Sequence, residues 1–241
     1  MLMQSMLAAV TTAAFLGGGL LALDAPGNDA RFVPAGYLDE ASRPAERVII
    51  GLDVSRSNPL ITNPTFAAKV AARISALVGG LGYASEIHVR TFGSFDATSN
   101  TFYYDTKISR YARPDKVAYD VYRLISQTPQ LVASGRLRAQ ARTNILAFLD
   151  NVARSPGCAD MPTFVILASD GIEDSQYARL DDPSQHLPDP DGKPFAGCAG
   201  LSILGIGVGT NSPVKTARLR YEWSHWAYSA GFARFEGLND W

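Results

Sequence analysis

Three oxygen-bearing side chains lie two residues apart, directly after an apolar run that has the character of a buried strand. They are Asp53, Ser55 and Ser57, and the run before them spans residues 48–52. An open α/β sheet holds its ligands just beyond the carboxyl ends of its strands. Carboxylate and hydroxyl oxygens are hard donors, so a turn at this point could aim all three at one small cation such as Mg²⁺. The spacing therefore predicts a metal-centred binding site.

A second carboxylate, Asp170, follows another apolar run, which is predicted to be a central strand. Parallel strands of one sheet point their carboxyl ends at the same edge, so Asp170 is expected beside Asp53. Thr143 stands at the predicted start of a helix, which would bring its hydroxyl to the same edge. Taken singly, each residue also fits a turn or a helix cap. Their combination after the expected strands favours the metal site.

The charges and donor types of this set indicate the class of metal. Two carboxylates neutralise a divalent cation, while three neutral hydroxyls leave it able to accept one more anionic oxygen at an open position. His and Cys are absent from the set, which argues against zinc. The donor set therefore favours Mg²⁺, with Mn²⁺ or Ca²⁺ as substitutes.

The elements that must position these side chains alternate between short β-branched runs and helical patterns, which is typical of a mostly parallel sheet with crossover helices. Strands are predicted over residues 48–53, 86–92, 101–108, 163–169, 201–208 and 232–236. The short turn-like segment before residues 101–108 makes that strand an antiparallel partner at the sheet edge.

Helices are predicted where a start signal precedes apolar residues at helical spacing. The first begins at Pro64 with Asn63 as its cap, and its apolar stripe includes Leu77. Others begin at Pro114, after Thr143, and at residues 212–213. In the last helix the two tryptophans are expected to pack on the sheet, and an aromatic contact surface is the alternative.

Three segments together resemble the metal-ion-dependent adhesion site (MIDAS) of von Willebrand factor type A (VWA) domains. They are Asp53-Val54-Ser55-Arg56-Ser57, Thr143-Asn144-Ile145 and Ser169-Asp170-Gly171. The resemblance covers residues 47–236 and implies an α/β fold: a doubly wound, mostly parallel sheet with one short antiparallel edge strand and helices on both faces. It also implies a divalent cation, usually Mg²⁺, whose missing ligand is an acidic side chain of a protein partner.

Carried over by position, the resemblance assigns five metal ligands. Hydroxyls would coordinate directly from Ser55, Ser57 and Thr143. Carboxylates would bind directly or through water from Asp53 and Asp170.

Two features depart from the family pattern. Arg142 stands where the family often has Gly, so this loop is expected to sit differently or to offer a cation to an acidic partner. Only residues 237–241 follow the last predicted strand. The C-terminal helix that acts as a sliding switch in integrin-type members is therefore not expected here.

The two cysteines, Cys158 and Cys198, agree with export into an oxidising compartment, where a single pair normally closes a disulfide. Two buried free thiols are the alternative. In the topology that the resemblance implies, each cysteine precedes one of two neighbouring parallel strands, at the sheet edge opposite the metal. A bridge there would be structural and would contribute on the order of 3 to 4 kcal/mol by the chain-entropy estimate.

The N-terminal segment 1–23 is almost uncharged and apolar from residue 7, which is typical of a secretion signal or a short membrane anchor. A buried hydrophobic helix is the alternative. Residues 24–46 contain several Pro and Gly and are predicted to be a linker. A VWA-like domain is expected over residues 47–241, in a protein that is periplasmic, secreted, or membrane-anchored and facing outward.

Composition and site chemistry favour one class of function. The 22 Lys and Arg against 23 Asp and Glu leave no basic surplus for nucleic acid. The site has no nucleophile paired with a base, which favours a non-enzymatic protein-binding or adhesion module. One alternative is a Mg²⁺-dependent, phosphatase-like hydrolase using Asp53, although such enzymes carry a second Asp where this chain has Ser55. Another is a structural subunit of an envelope or secretion assembly.

Overall fold

The computed structural model describes residues 43–94 and 102–241, and in this part of the chain six strands form one sheet. In chain order they are β1 (Arg47–Asp53), β2 (Glu86–Phe92), β3 (Tyr103–Lys107), β4 (Thr163–Ala168), β5 (Gly200–Leu204) and β6 (Phe235–Leu238). Their order across the sheet is β3-β2-β1-β4-β5-β6. Only β3 is antiparallel to its neighbour within this described sheet. The predicted mostly parallel sheet with one antiparallel edge strand is confirmed.

Helices cover both faces of the sheet, which completes the predicted α/β fold class. Over the described ranges they are α1 (Pro59–Thr62), α2 (Pro64–Gly79), α3 (Pro114–Ser126), α4 (Thr128–Ala133), α5 (Ile145–Arg154) and α6 (Pro213–Ser229). The buried apolar residues of α2 and α3 form one core cluster, and those of α5 and α6 form another. The chain winds outward from β1 on one side and from β4 on the other, so the switch point, where such sheets hold ligands, lies between these two strands.

Strand β1 is buried along its whole length and contributes to both cores. Val48, Ile50 and Leu52 belong to the α2–α3 cluster, whereas Ile49 belongs to the α5–α6 cluster. Gly51 lies where α5 approaches closely, because a Cβ atom there would meet the ring of Phe148 at 2.8 Å. The missing side chain therefore allows α5 to pack directly on the centre of the sheet.

Polar caps fix the beginnings of three helices. Asn63, Asn144 and Ser212 each accept a hydrogen bond from a backbone N–H in the first turn of α2, α5 and α6, at 3.1, 3.0 and 3.2 Å. Such caps satisfy N–H groups that have no partner within the helix. The predicted starts at Pro64, after Thr143 and at Pro213 are confirmed.

The last two strands differ from the predicted ranges. Strand β5 ends at Leu204 because Gly205 turns the chain with a φ of +110°, a conformation that only glycine adopts easily. Strand β6 begins at Phe235 and not at residue 232, because Phe232 is buried and stacks on Phe195 with ring centroids 4.3 Å apart. Tertiary packing therefore uses this phenylalanine before the strand begins.

Smaller differences concern the helices. The short helices α1 and α4 were not predicted, because four- and six-residue segments carry too few apolar positions to show a period. Leu77 was expected on the buried stripe of α2 but is 40% exposed, and Val78 is buried instead. Both tryptophans of α6, Trp223 and Trp226, are buried in the core cluster of α5 and α6, so the expectation that they pack is confirmed.

Cys158 and Cys198 form a disulfide, with their Cα atoms 5.1 Å apart. They precede β4 and β5, at the amino-terminal edge of these neighbouring parallel strands. The predicted pairing and its position at one edge of the sheet are confirmed.

The remaining predictions about organisation concern the N-terminal part. The export segment 1–23 and residues 24–42 of the predicted linker lie outside the described residues, as do residues 95–101. Across the ranges that are described, no helix is long and apolar enough to cross a membrane.

Candidate metal centre

The candidate ligands Asp53 and Asp170 lie at the carboxyl ends of the two central strands. Asp53 is the last residue of β1, and Asp170 follows the end of β4 by two residues. The strands are in parallel register, with Leu52 opposite Ala168, so both carboxylates leave the sheet at the same edge. Both residues are buried, with exposed fractions of 0% and 2%. The expected convergence of the two loops is therefore present.

The loop after β1 folds back on Asp53. The backbone N–H of Ser55 donates to Asp53 Oδ1 at 2.9 Å, and the hydroxyls of Ser55 and Ser57 lie 3.4 Å apart. Ser55 is buried, whereas Ser57 is exposed. Asn58 caps α1 and donates from its side chain to the carbonyl of Ala168 at 3.4 Å, which ties this loop to the end of β4. The two serine hydroxyls are thus held together at the rim of the sheet.

Ser169 links the two acidic loops. Its hydroxyl donates to Asp53 Oδ2 at 2.7 Å and accepts from the backbone N–H of Gly171 at 3.1 Å. Asp170 Oδ1 accepts from the backbone N–H of Ile172 at 2.9 Å. On the other side, the indole N–H of Trp223 donates to the carbonyl of Gly171 at 2.7 Å. The Asp170 loop is therefore fixed both to Asp53 and to α6.

Thr143 lies in a segment that contacts both loops. Its carbonyl accepts from the backbone N–H of Asp174 at 2.8 Å, after the end of β4. Gln140, earlier in the same segment, pairs with the loop after β1: its N–H donates to the carbonyl of Val54 at 2.8 Å, and its carbonyl accepts from the N–H of Arg56 at 2.9 Å. Thr143 itself is buried, with an exposed fraction of 3%. The backbone therefore brings the predicted threonine to the same edge as the other four residues.

The carboxylates of Asp53 and Asp170 give this edge of the sheet a negative charge that is only partly compensated. Burial raises the pKa of Asp53, and burial together with the negative charge of Asp53 raises the pKa of Asp170 to about 7. Lys215 opposes the increase for Asp170 only in part. In the described part of the chain, no ion pair involves either carboxylate. A bound cation would supply the missing positive charge, so the residues present fit the proposed group.

The donor set relies on hydroxyls as well as carboxylates. Within residues 43–94 and 102–241, no three or more His, Cys, Asp or Glu side chains are grouped so that they could hold a metal ion. A cation at this edge would need oxygens from serine or threonine in addition to the two aspartates. Mg²⁺ is the divalent cation that such a set of oxygens suits.

Sequence reasoning assigned no role to two polar residues of this region, Ser169 and Glu173. Glu173 is completely buried, and its Oε2 accepts from the backbone N–H groups of Ile145 and Leu146 at 2.8 and 3.2 Å. The only sequence signal for either residue is a polar side chain close behind a buried strand. Arg142, the departure from the family pattern, is exposed and lies 3.6 Å from Asp174.

Solved structures that are similar to this chain include the following three. BatB, a conserved hypothetical protein from Bacteroides thetaiotaomicron, is 16% identical with a TM-score of 0.45, over 82% of this chain and 92% of BatB. An aerotolerance-related membrane protein from Bacteroides fragilis, with multiple mutations to serines, is 13% identical with a TM-score of 0.43, over 82% and 92%. The pilus adhesin SpaC from Lactobacillus rhamnosus GG, in its open conformation, is 13% identical with a TM-score of 0.43, over 82% of this chain and 28% of the adhesin.

No known family profile matches the chain, and a comparison with curated proteins gives no match.

Proposed function

We propose that this protein is an exported, non-enzymatic binding module of the VWA type that holds a divalent cation and binds an acidic side chain of a protein partner. The cation would be Mg²⁺, or Mn²⁺ or Ca²⁺ in its place, at a MIDAS formed by five residues. These residues are Asp53, Ser55, Ser57, Thr143 and Asp170. When bound, the cation supplies an electrophilic position that a carboxylate oxygen of the partner can occupy.

One observation carries this proposal. Asp53 and Asp170 are buried side by side, joined through Ser169, and no Lys or Arg forms an ion pair with either in the described ranges. Two buried carboxylates in this arrangement destabilise the fold unless a cation neutralises them. The neighbouring hydroxyl oxygens of Ser55 and Ser57 can coordinate a hard cation. A Lys side chain that neutralised the two aspartates would not need these hydroxyls.

The hydrolase alternative is disfavoured by the contacts of Asp53. A phosphatase of that kind needs the carboxylate of Asp53 as a nucleophile. Here the residue is 0% exposed, and its two oxygens accept from the Ser55 N–H and the Ser169 hydroxyl. Hydrogen bonds to both oxygens lower their nucleophilicity, and burial excludes the phosphorus atom from attack. Assays with p-nitrophenyl phosphate and Mg²⁺ are expected to give no turnover.

Calorimetric titration of Mg²⁺ tests the proposal directly. The full chain is expected to bind one Mg²⁺, and Asp53→Ala is expected to lose at least a hundredfold in affinity, because it removes one of two neutralising carboxylates. Asp191 is an exposed aspartate outside the site, so Asp191→Asn serves as the charge-matched control. This variant should bind Mg²⁺ as wild type does. Equal binding by wild type and Asp53→Ala would contradict the proposal.

A further inference from the structure

Glu173 is a third buried carboxylate near the candidate metal centre, and the resemblance to VWA domains assigns it no role. It lies three residues after Asp170 in the loop that follows β4, and its exposed fraction is 0%. The Glu side chain is seldom completely buried without a partner that compensates its charge. Its environment therefore calls for a physical explanation.

One carboxylate oxygen of Glu173 has a clear structural partner. Oε2 accepts hydrogen bonds from the backbone N–H groups of Ile145 and Leu146, the first two residues of α5. These N–H groups have no acceptor within the helix, and the positive end of the helix dipole favours a carboxylate at this position. Glu173 therefore holds the beginning of α5 against the loop that follows β4.

This contact also fixes the position of Thr143. The residue lies two positions before Ile145, and its carbonyl accepts from the N–H of Asp174 at 2.8 Å, next to Glu173. The segment 143–146 is thus bound to residues 173–174 at three points. The position of Thr143 at this edge of the sheet depends on these three hydrogen bonds.

The other oxygen of Glu173 has no such partner. Oε1 is buried, and among residues 43–94 and 102–241 it has no hydrogen-bond partner. The nearby Ser175 hydroxyl partly stabilises the carboxylate but forms no hydrogen bond to Oε1. Burial, with a smaller contribution from the negative charge of Asp53, raises the pKa of Glu173 to about 7, so the two carboxyl groups interact. A buried carboxylate oxygen without a hydrogen-bond partner indicates a missing donor or cation.

We propose that Glu173 is a positioning residue of the cation site, whose Oε2 holds the Thr143 segment in place while Oε1 accepts a hydrogen bond from a water molecule bound to the cation. The inference rests on the proposed cation site and adds a residue to it. In the described part of the chain, no three acidic side chains are grouped so that all of them could hold a metal ion directly. A contact of Glu173 with the cation through water agrees with this finding. Residues that orient metal ligands or bound waters in this way typically contribute a factor of about 10 to 100 in metal affinity.

Two substitutions of Glu173 separate the two contacts. In Glu173→Gln the amide oxygen can still accept from Ile145 and Leu146, but an NH₂ group replaces Oε1 and cannot accept from water. Glu173→Ala removes both contacts. Asp191→Asn, which removes one charge from an exposed position of the same connection between β4 and β5, is the control. Each full-length variant is titrated with Mg²⁺ by calorimetry, and its Tm is measured in EDTA.

Glu173→Gln is expected to bind Mg²⁺ about tenfold more weakly than wild type, with a Tm in EDTA that is equal or higher because a buried charge is gone. Glu173→Ala is expected to bind more weakly still and to melt at a lower temperature in EDTA, because the beginning of α5 loses its acceptor. The control should match wild type in both measurements.

The outcomes distinguish this inference from the proposed function. If Glu173→Gln binds Mg²⁺ with wild-type affinity, the role of Oε1 is overturned. If Asp53→Ala loses binding in the same experiment, the proposed cation site itself is still supported. Identical affinity and identical Tm for the Gln and Ala variants would overturn the role of Oε2. If wild type and Asp53→Ala bind Mg²⁺ equally or not at all, the proposed function fails, and the role of Glu173 fails with it.

Discussion

At the scale of single residues, Asp170 shows what it costs the fold to bury two carboxylates at one edge of the sheet. A carboxyl group whose pKa is higher in the folded protein than in the unfolded chain makes the fold less stable as the pH rises between the two values. For Asp170 that interval runs from its ordinary value of 3.8 to about 7. The metal-free protein should therefore lose stability over this range, since the unfolded chain ionises freely and the folded one does not.

Asp170→Asn is expected to remove much of this effect. Its amide oxygen can still accept from the Ile172 N–H, and it carries no charge beside Asp53. In EDTA at pH 8 the variant should be more stable than wild type by on the order of 2 kcal/mol, and near pH 4 the two should be similar. Urea denaturation at both pH values measures this. A variant that is less stable at pH 8 without metal would show that another group compensates Asp170.

The positions of the five candidate ligands could be predicted because each lies at or next to the end of a recognisable strand or the start of a helix, but the contacts of their supporting residues could not. Ser169 bonds to Asp53 across 116 positions of the chain, and Glu173 bonds to Ile145 across 28. No local pattern encodes such pairs, because they form only when neighbouring strands and a helix start are packed together. Sequence therefore indicates the donors, while the contacts that orient them require the folded structure.

At the scale of elements, Gly51 controls how closely α5 approaches β1. A methyl group there would meet the side chains of Phe148 and Leu167 at 2.8 Å, and both side chains are packed in the core cluster of α5 and α6. Gly51→Ala is expected to destabilise the protein by about 1 to 3 kcal/mol through overpacking. The added methyl group should also displace α5, which begins just after Thr143. Displacement of this candidate ligand should weaken Mg²⁺ binding severalfold.

A second substitution checks this explanation. Phe148→Leu makes room beside residue 51, so the double variant should recover part of both the stability and the Mg²⁺ affinity that Gly51→Ala loses. Thermal denaturation and calorimetry of the two single variants and the double variant give the coupling. Strictly additive losses would mean that the methyl group acts elsewhere.

Elements with strong local signals were predicted well. The Asn63-Pro64 start of α2 and the bounds of β2 agree with the structure, because caps and alternation are encoded within a few residues. The predicted end of β5 was wrong because the strand ends at the turn formed by Gly205. The predicted start of β6 was wrong because Phe232 is buried against Phe195. Those contacts join distant parts of the chain.

At the scale of the whole molecule, the disulfide and the candidate cation site lie at opposite edges of the sheet. Cys158 and Cys198 precede β4 and β5, whereas Asp170 follows β4. Replacing both cysteines by serine is expected to lower the free energy of unfolding by about 3 to 4 kcal/mol, because the crosslink closes a loop of 40 residues. Mg²⁺ affinity measured below the Tm should stay within about twofold of wild type. A parallel loss of affinity would show that the two edges are coupled.

The hydrogen bond between Trp223 and the Gly171 carbonyl has a practical consequence. An indole is a natural fluorophore whose emission depends on its polar neighbours, and this one is bonded to the residue that follows Asp170. The unlabelled protein therefore carries an optical probe beside the Asp170 loop, and titration with Mg²⁺ could be followed through it.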